Sequence, residues 1–246
     1  MTTSTEKMRA WRGPALLSYG YRPFFLLAAV WAVLVMVVWI LALSGLIGWT
    51  AAFDPVSWHA HSLLFGYSTA VIAGFLMTAV PNWTGRFPIV GWPLAGLVAL
   101  WLIGRLVVTL GFGLPAMAIA AIDLAFPVVF AVAIGREIVA GRNWRNLKVL
   151  ALLTLLIVAD LLFHIEAAQG GYAAGGLGAR LALATLILLI TLIGGRIVPS
   201  FTRNWLAQRR SAQLPAQADR GDDACMTITV VALLAWTVLP DHAITG

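Results

Sequence analysis

Residues 24–47, FFLLAAVWAVLVMVVWILALSGLI, contain no charged side chain. A helix of about 20 apolar residues crosses the roughly 30 Å hydrocarbon layer of a bilayer. This stretch is long enough to do so and has no polar face to offer water. It therefore predicts a membrane span and not a helix of a soluble core. Outward from it the same texture recurs at 57–80, 92–111, 114–138, 147–168 and 177–199, with a shorter run at 226–240. Clusters rich in Pro, Gly, Asn and Asp separate the runs: TAAFDPVS, PNWTGRFPIVGWP, GFGLP, GRNWRN and QGGYAAGGLG. The pattern predicts an all-α, polytopic transmembrane helix bundle with six full spans and a partial seventh. It divides the chain into a cytoplasmic N-terminal segment 1–23, a six-span bundle 24–199, a cytoplasmic loop 200–225, and the partial span 226–246, where the chain reads as truncated. The short alternating segments of a β-barrel are not seen. Small residues in AMAIAAIDLA (116–125) and ARLALATL (179–186) allow close helix packing.

Composition supports this reading. Of the 246 residues, 61% are hydrophobic and 11% charged, with a mean hydropathy of +0.92. A soluble domain is about a quarter charged. The net charge is +6, but no basic run alternates with aromatics, which argues against a nucleic-acid partner. The basic residues instead follow the loops. Thirteen of the 16 Lys and Arg lie before the first span or after the second, fourth and sixth. Loops 48–56, 111–113 and 169–176 have none. This alternation predicts a multi-pass protein with a cytoplasmic N-terminus. Arg105, Arg180 and Arg196 fall within spans. Cys225 is the only cysteine, so no intrachain disulfide forms. GxGxxG, P-loop, CxxC, CxxCH and HExxH motifs are absent, removing the commonest nucleotide and zinc-protease classes.

The polar residues inside the spans carry the functional signal. In SWHAHSLLFG (57–66), His59 and His61 stand at the outer end of the second span. Either the helix begins after His61 and the pair sits in an extended lead-in, or both are helical, as the helix-start signal Asp54-Pro55 suggests, and lie about 200° apart facing different partners. His164 lies near the outer end of the fifth span, and His242 follows the seventh. Asp160 and His164 are four residues apart, hence on one helix face. A carboxylate so placed orients an imidazole and raises its basicity. An ionisable pair within lipid marks a functional site, with a structural hydrogen bond between helices as the alternative. Arg105 and Asp123 flank the GFGLP turn at depths of about 9 Å and 13 Å, and are expected to pair.

Four stretches together resemble the NnrS family of bacterial membrane proteins: YGYRPFFLLAAVWA (19–32), WHAHSLLFGYSTAVIAGFLMTAVPNWTG (58–85), NLKVLALLTLLIVADLLFH (146–164) and ITLIGGRIVPSFTRNWL (190–206). The resemblance runs from about Tyr19 to Leu206. It implies a polytopic protein of the bacterial cell inner membrane that contains haem and copper. It also implies a role in nitric oxide metabolism, denitrification and nitrosative stress, with nitric oxide or iron–nitrosyl species as partners beside the lipid bilayer. Carried over, it makes His59, His61 and His164 the candidate metal or haem ligands; Asp160, one turn from His164, is placed by the spacing alone to support that imidazole. Which histidine takes which metal stays open. One arrangement has His61 and His164 bracketing a haem, Arg105 on a propionate, and His59 holding copper. Two departures stand out. Family members are longer, with more spans, and an acidic residue often follows the second histidine where this chain has Ser62. The alternative reading is a metal-free transporter or channel for a small solute, its path lined by Arg105, Asp123 and Asp160.

Overall fold

The computed structural model describes residues 11–86, 88–211, 213–215 and 220–242. Residues 1–10 of the predicted N-terminal segment and 243–246 of the last span lie outside the described residues. Among the described residues there are seven long helices: α1 (Tyr21–Leu43), α2 (Pro55–Thr84), α3 (Trp92–Leu110), α4 (Ala116–Ala140), α5 (Leu147–Ala168), α6 (Leu177–Gln208) and α7 (Arg220–Val238). Each is long and apolar enough to cross a membrane, and the described residues contain no strand. The chain is an all-α, multi-pass membrane protein.

The ends of the helices differ from the hydropathy reading in instructive ways. Helix α2 starts at Pro55 because the Asp54 carboxylate accepts from Val56 N and Ser57 N, both at 3.0 Å. This is a side-chain N-cap followed by proline in the first turn. Helix α6 continues through Pro199 to Gln208, so the first part of the predicted 200–225 loop is helical. Proline lacks one N–H but does not always end a membrane helix. The seventh helix, of 19 residues, is longer than the predicted run. It begins at Arg220, ahead of the predicted 226, with Asp222 and Asp223 in its first turn. Carboxylates there favour the positive end of the helix dipole, while their charge lowers the local hydropathy.

The chain forms two compact units, Met1–Ala182 and Leu183–Gly246. The second holds the rest of α6 together with α7. The first holds α1 to α5 and the start of α6. Within it, Trp58, Trp101, Phe24, Phe65, Phe126, Phe130 and Phe163 are fully buried. Leu26, Val30, Val33, Val37 and Ile40 of α1 are exposed, as expected of a surface facing lipid. Lipid is as apolar as these side chains, so close packing and polar contacts must hold the helices together. Glycines permit that packing at two positions. A Cβ on Gly104 of α3 would lie 2.7 Å from Asp123 Oδ1 and 3.3 Å from its Cα on α4. One on Gly178 would lie 2.8 Å from the Ala159 carbonyl of α5. The Glu166 carboxylate then caps the start of α6, accepting from Leu177 N at 2.7 Å and Gly178 N at 3.2 Å.

Helix α2 is not uniform. Pro55–His61 and Ser68–Thr84 are α-helical, and Ser62–Tyr67 between them is a π-helical turn. Side chains from other helices and from the next turn bond its carbonyls. Trp31 Nε1 donates to Ser62 O and Trp101 Nε1 to Gly66 O, each at 3.1 Å, while Thr69 Oγ1 donates to Phe65 O. Such turns cluster at functional sites, and this one begins directly after His61.

Candidate metal centre

Four helices of the first unit place the polar side chains at one end of the bundle. His61 closes the first stretch of α2. Asp123 lies on α4, Asp160 and His164 lie on α5, and Arg105 is on α3. Measured along its own helix from the nearer end, each lies about 6–12 Å deep at a rise of about 1.5 Å per residue. The ends concerned are those joined by the 44–54, 111–115 and 169–176 connections. All five are buried: His61 0%, Asp123 1%, Asp160 2%, His164 3% and Arg105 4% exposed.

The geometry is compact. His61 Nε2 lies 3.0 Å from Asp160 Oδ1 and 3.1 Å from Asp123 Oδ2. His164 Nε2 lies 3.1 Å from the same Asp123 Oδ2 and 3.8 Å from Asp160 Oδ1. Arg105 Nη2 donates to the other oxygen of Asp123, Oδ1. One nitrogen from each imidazole and one oxygen from each carboxylate thus gather within 4.8 Å of one another. Tetrahedral ligands about 2.1 Å from an ion stand about 3.4 Å apart. The four imidazole–carboxylate separations, 3.0 to 3.8 Å, lie around that value, and all six separations are within 4.8 Å. Two imidazoles and two carboxylates are a donor set that suits borderline ions, imidazole being a common ligand of copper and zinc.

Aromatic rings wall the cluster. Phe53 packs on His61 and His164 with centroids 4.9 Å and 5.1 Å away. Phe163 and Phe65 lie against His61 at 5.3 Å and 5.1 Å. Beside His164 is a cavity of about 50 Å³, lined otherwise by Ala52, Phe53, Ala116, Ile119, Ala167 and Ala168. His61 Nδ1, Ser62 Oγ and Arg105 Nε and Nη1 are buried with no protein partner among the described residues.

The fold brings His61, His164 and Asp160 together. Asp160 presents its own oxygen to both imidazoles instead of standing behind His164. His59 lies elsewhere. It is half-buried and stacks on Trp39, with centroids 4.0 Å apart and planes 18° apart. Both histidines are helical and face different ways, as their two-residue spacing requires. Arg105 and Asp123 do pair. The sequence reading missed that the second Asp123 oxygen turns to the histidines. The available signal was its depth, close to that of His61. His242 and Arg196 belong to the second unit.

Fold and site define a multi-pass helical membrane protein with a buried histidine–carboxylate cluster. The sequence matches the family described as NnrS protein over residues 15–246, and the chain belongs to that family. No curated protein and no solved structure matches it.

Proposed function

We propose that this NnrS-family protein lies in the bacterial inner membrane with its N-terminus in the cytoplasm, and binds copper at His61, Asp123, Asp160 and His164. We further propose that it acts in nitric oxide metabolism and the response to nitrosative stress. The observation that supports metal binding is the convergence of four buried ligand atoms from three helices within 4.8 Å. Lone ionisable groups are costly in a bilayer, so four gathered together argue for a functional site.

The residues fit a single ion. His61 and His164 would hold it through Nε2, and Asp123 and Asp160 through one oxygen each. Copper there would supply a redox-active centre able to bind a small ligand. Arg105 pins Asp123 Oδ1 and so keeps Oδ2 turned inward. Phe53 screens the cluster from the connecting loops. The cavity beside His164 leaves room for a molecule of a few atoms.

A haem between His61 and His164 does not fit. Their rings meet edge-on, 73° apart, with centroids separated by 5.1 Å. The intervening space is filled by the two carboxylate oxygens, and the Phe53 and Phe163 rings close the sides. Arg105 is engaged with Asp123.

The test is metal analysis of the full chain purified in detergent, together with a visible spectrum taken with and without nitric oxide. About one copper per chain, lost in His61→Ala and retained in His59→Ala, is the expected result. Metal-free protein that conducts a small solute would replace this reading with the transporter.

A further inference from the structure

Arg105 is the only Lys or Arg buried among the described residues. Its surroundings hold it rigidly. Nη2 donates to Asp123 Oδ1. Nη1 lies 2.7 Å from where a Gly66 Cβ would stand, so any larger residue there would displace it. Gly104, the adjacent residue, lets α3 approach the Asp123 backbone. A guanidinium cannot lose its proton in a protein, so this positive charge is permanent.

The charges of the cluster can therefore be counted. Two carboxylates and one guanidinium, with neutral ligating imidazoles, leave a single negative charge. A monovalent cation neutralises it. A divalent cation leaves one positive charge uncompensated. In a bundle surrounded by hydrocarbon that imbalance is far more costly than in water. Without Arg105 the same four ligands would balance a divalent ion instead.

We propose that Arg105 is a positioning residue that sets the charge preference of the metal site, biasing it toward a monovalent ion and against a divalent one. The inference rests on the metal-site reading above and deepens it. It also accounts for a cation placed directly behind a cation site, which a purely electrostatic attraction for metal would disfavour. The side chain gives up part of the gross affinity for any cation and gains discrimination between charges.

Cuprous and zinc ions make the clean comparison, since both have filled d shells and therefore no electronic preference of geometry. They differ in charge and in softness, and the softness difference cancels when each variant is compared with the wild type, whose four ligands it shares. The full chain in detergent is titrated with each ion against a chromophoric competitor, the cuprous series under reducing, oxygen-free conditions. The wild type is compared with Arg105→Gln, which keeps an amide donor for Asp123 Oδ1, and with Arg105→Lys, which keeps the charge. For charges about 6 Å apart at an effective dielectric constant near 20, loss of the positive charge shifts the cuprous-to-zinc preference by on the order of a hundredfold toward zinc. Arg105→Lys should stay within about threefold of the wild type on the same argument, since the charge remains. A folded Arg105→Gln protein with the wild-type preference would overturn the inference, leaving Arg105 a structural partner only. If that variant is not recovered folded, cell-free synthesis with citrulline at position 105 supplies a neutral side chain of the same shape, judged by the same shift. A wild type that binds neither ion defeats the metal-site reading itself, an outcome distinct from an unchanged preference.

Discussion

Asp123→Asn isolates the most consequential contact in the bundle. The substitution conserves shape and removes one charge. In the native chain Asp123 accepts from Arg105 through Oδ1 and faces His61 and His164 through Oδ2, each at 3.1 Å, with 1% of its surface exposed. Removing it leaves the buried Arg105 guanidinium without its direct ion-pair partner, with Nε and Nη1 already lacking protein partners among the described residues. Breaking a buried pair from one side costs about 3–5 kcal/mol. At about 2–4 °C per kcal/mol for a chain of this size, the midpoint of thermal unfolding should fall by roughly 6–20 °C. Arg105→Met should cost a similar amount. The double variant should cost clearly less than the two together, because it removes both partners of the pair and leaves the net charge of the cluster unchanged. The assay is the midpoint in detergent, followed by the fraction of protein that remains monodisperse after heating. Additive single effects, or an Asp123→Asn midpoint within about 2 °C of wild type, would refute a coupled buried pair.

Other outcomes follow from the same geometry. Gly104→Val should force α3 from α4, since its Cβ alone would stand 2.7 Å from Asp123 Oδ1. An overpacking cost of about 1–3 kcal/mol and loss of bound copper are expected, by melting and metal analysis. Asp54→Ala removes the cap from two backbone N–H groups. It should cost about 1 kcal/mol and leave copper content intact, since the cap lies two turns from the cluster. His59→Ala should retain the metal while His61→Ala and His164→Ala each lose it, because His59 stacks on Trp39 away from the ligand atoms. Equal loss in all three would contradict the assignment.

Much of the architecture was legible because hydropathy is a local sum. Each span announces itself through some twenty neighbouring residues in a solvent that tolerates only closed hydrogen bonding. Errors arose where charge or proline perturbs that sum without ending a helix, as at Asp222, Asp223 and Pro199. Divergence of His59 from His61 was also legible, since it follows from helical rotation alone. The same rule placed Asp160 and His164 on one face. Arg105 and Asp123 could be matched because a short turn makes their depths comparable.

What only the tertiary structure decided is which of these groups meet. The clustered atoms come from positions 61, 123, 160 and 164, and no local pattern encodes how three helices rotate to bring them together. That rotation depends on the π turn at Ser62–Tyr67, on the glycines that admit close approach, and on indole donors from α1 and α3 that bond the freed carbonyls. These are non-local contacts between side chain and backbone, and a sequence window does not contain both partners. Residue type and depth were thus set by the amino-acid order. The joining of two carboxylates and two imidazoles into one centre was set by helix packing, because in lipid the specific fit between helices, and not burial from water, chooses the arrangement.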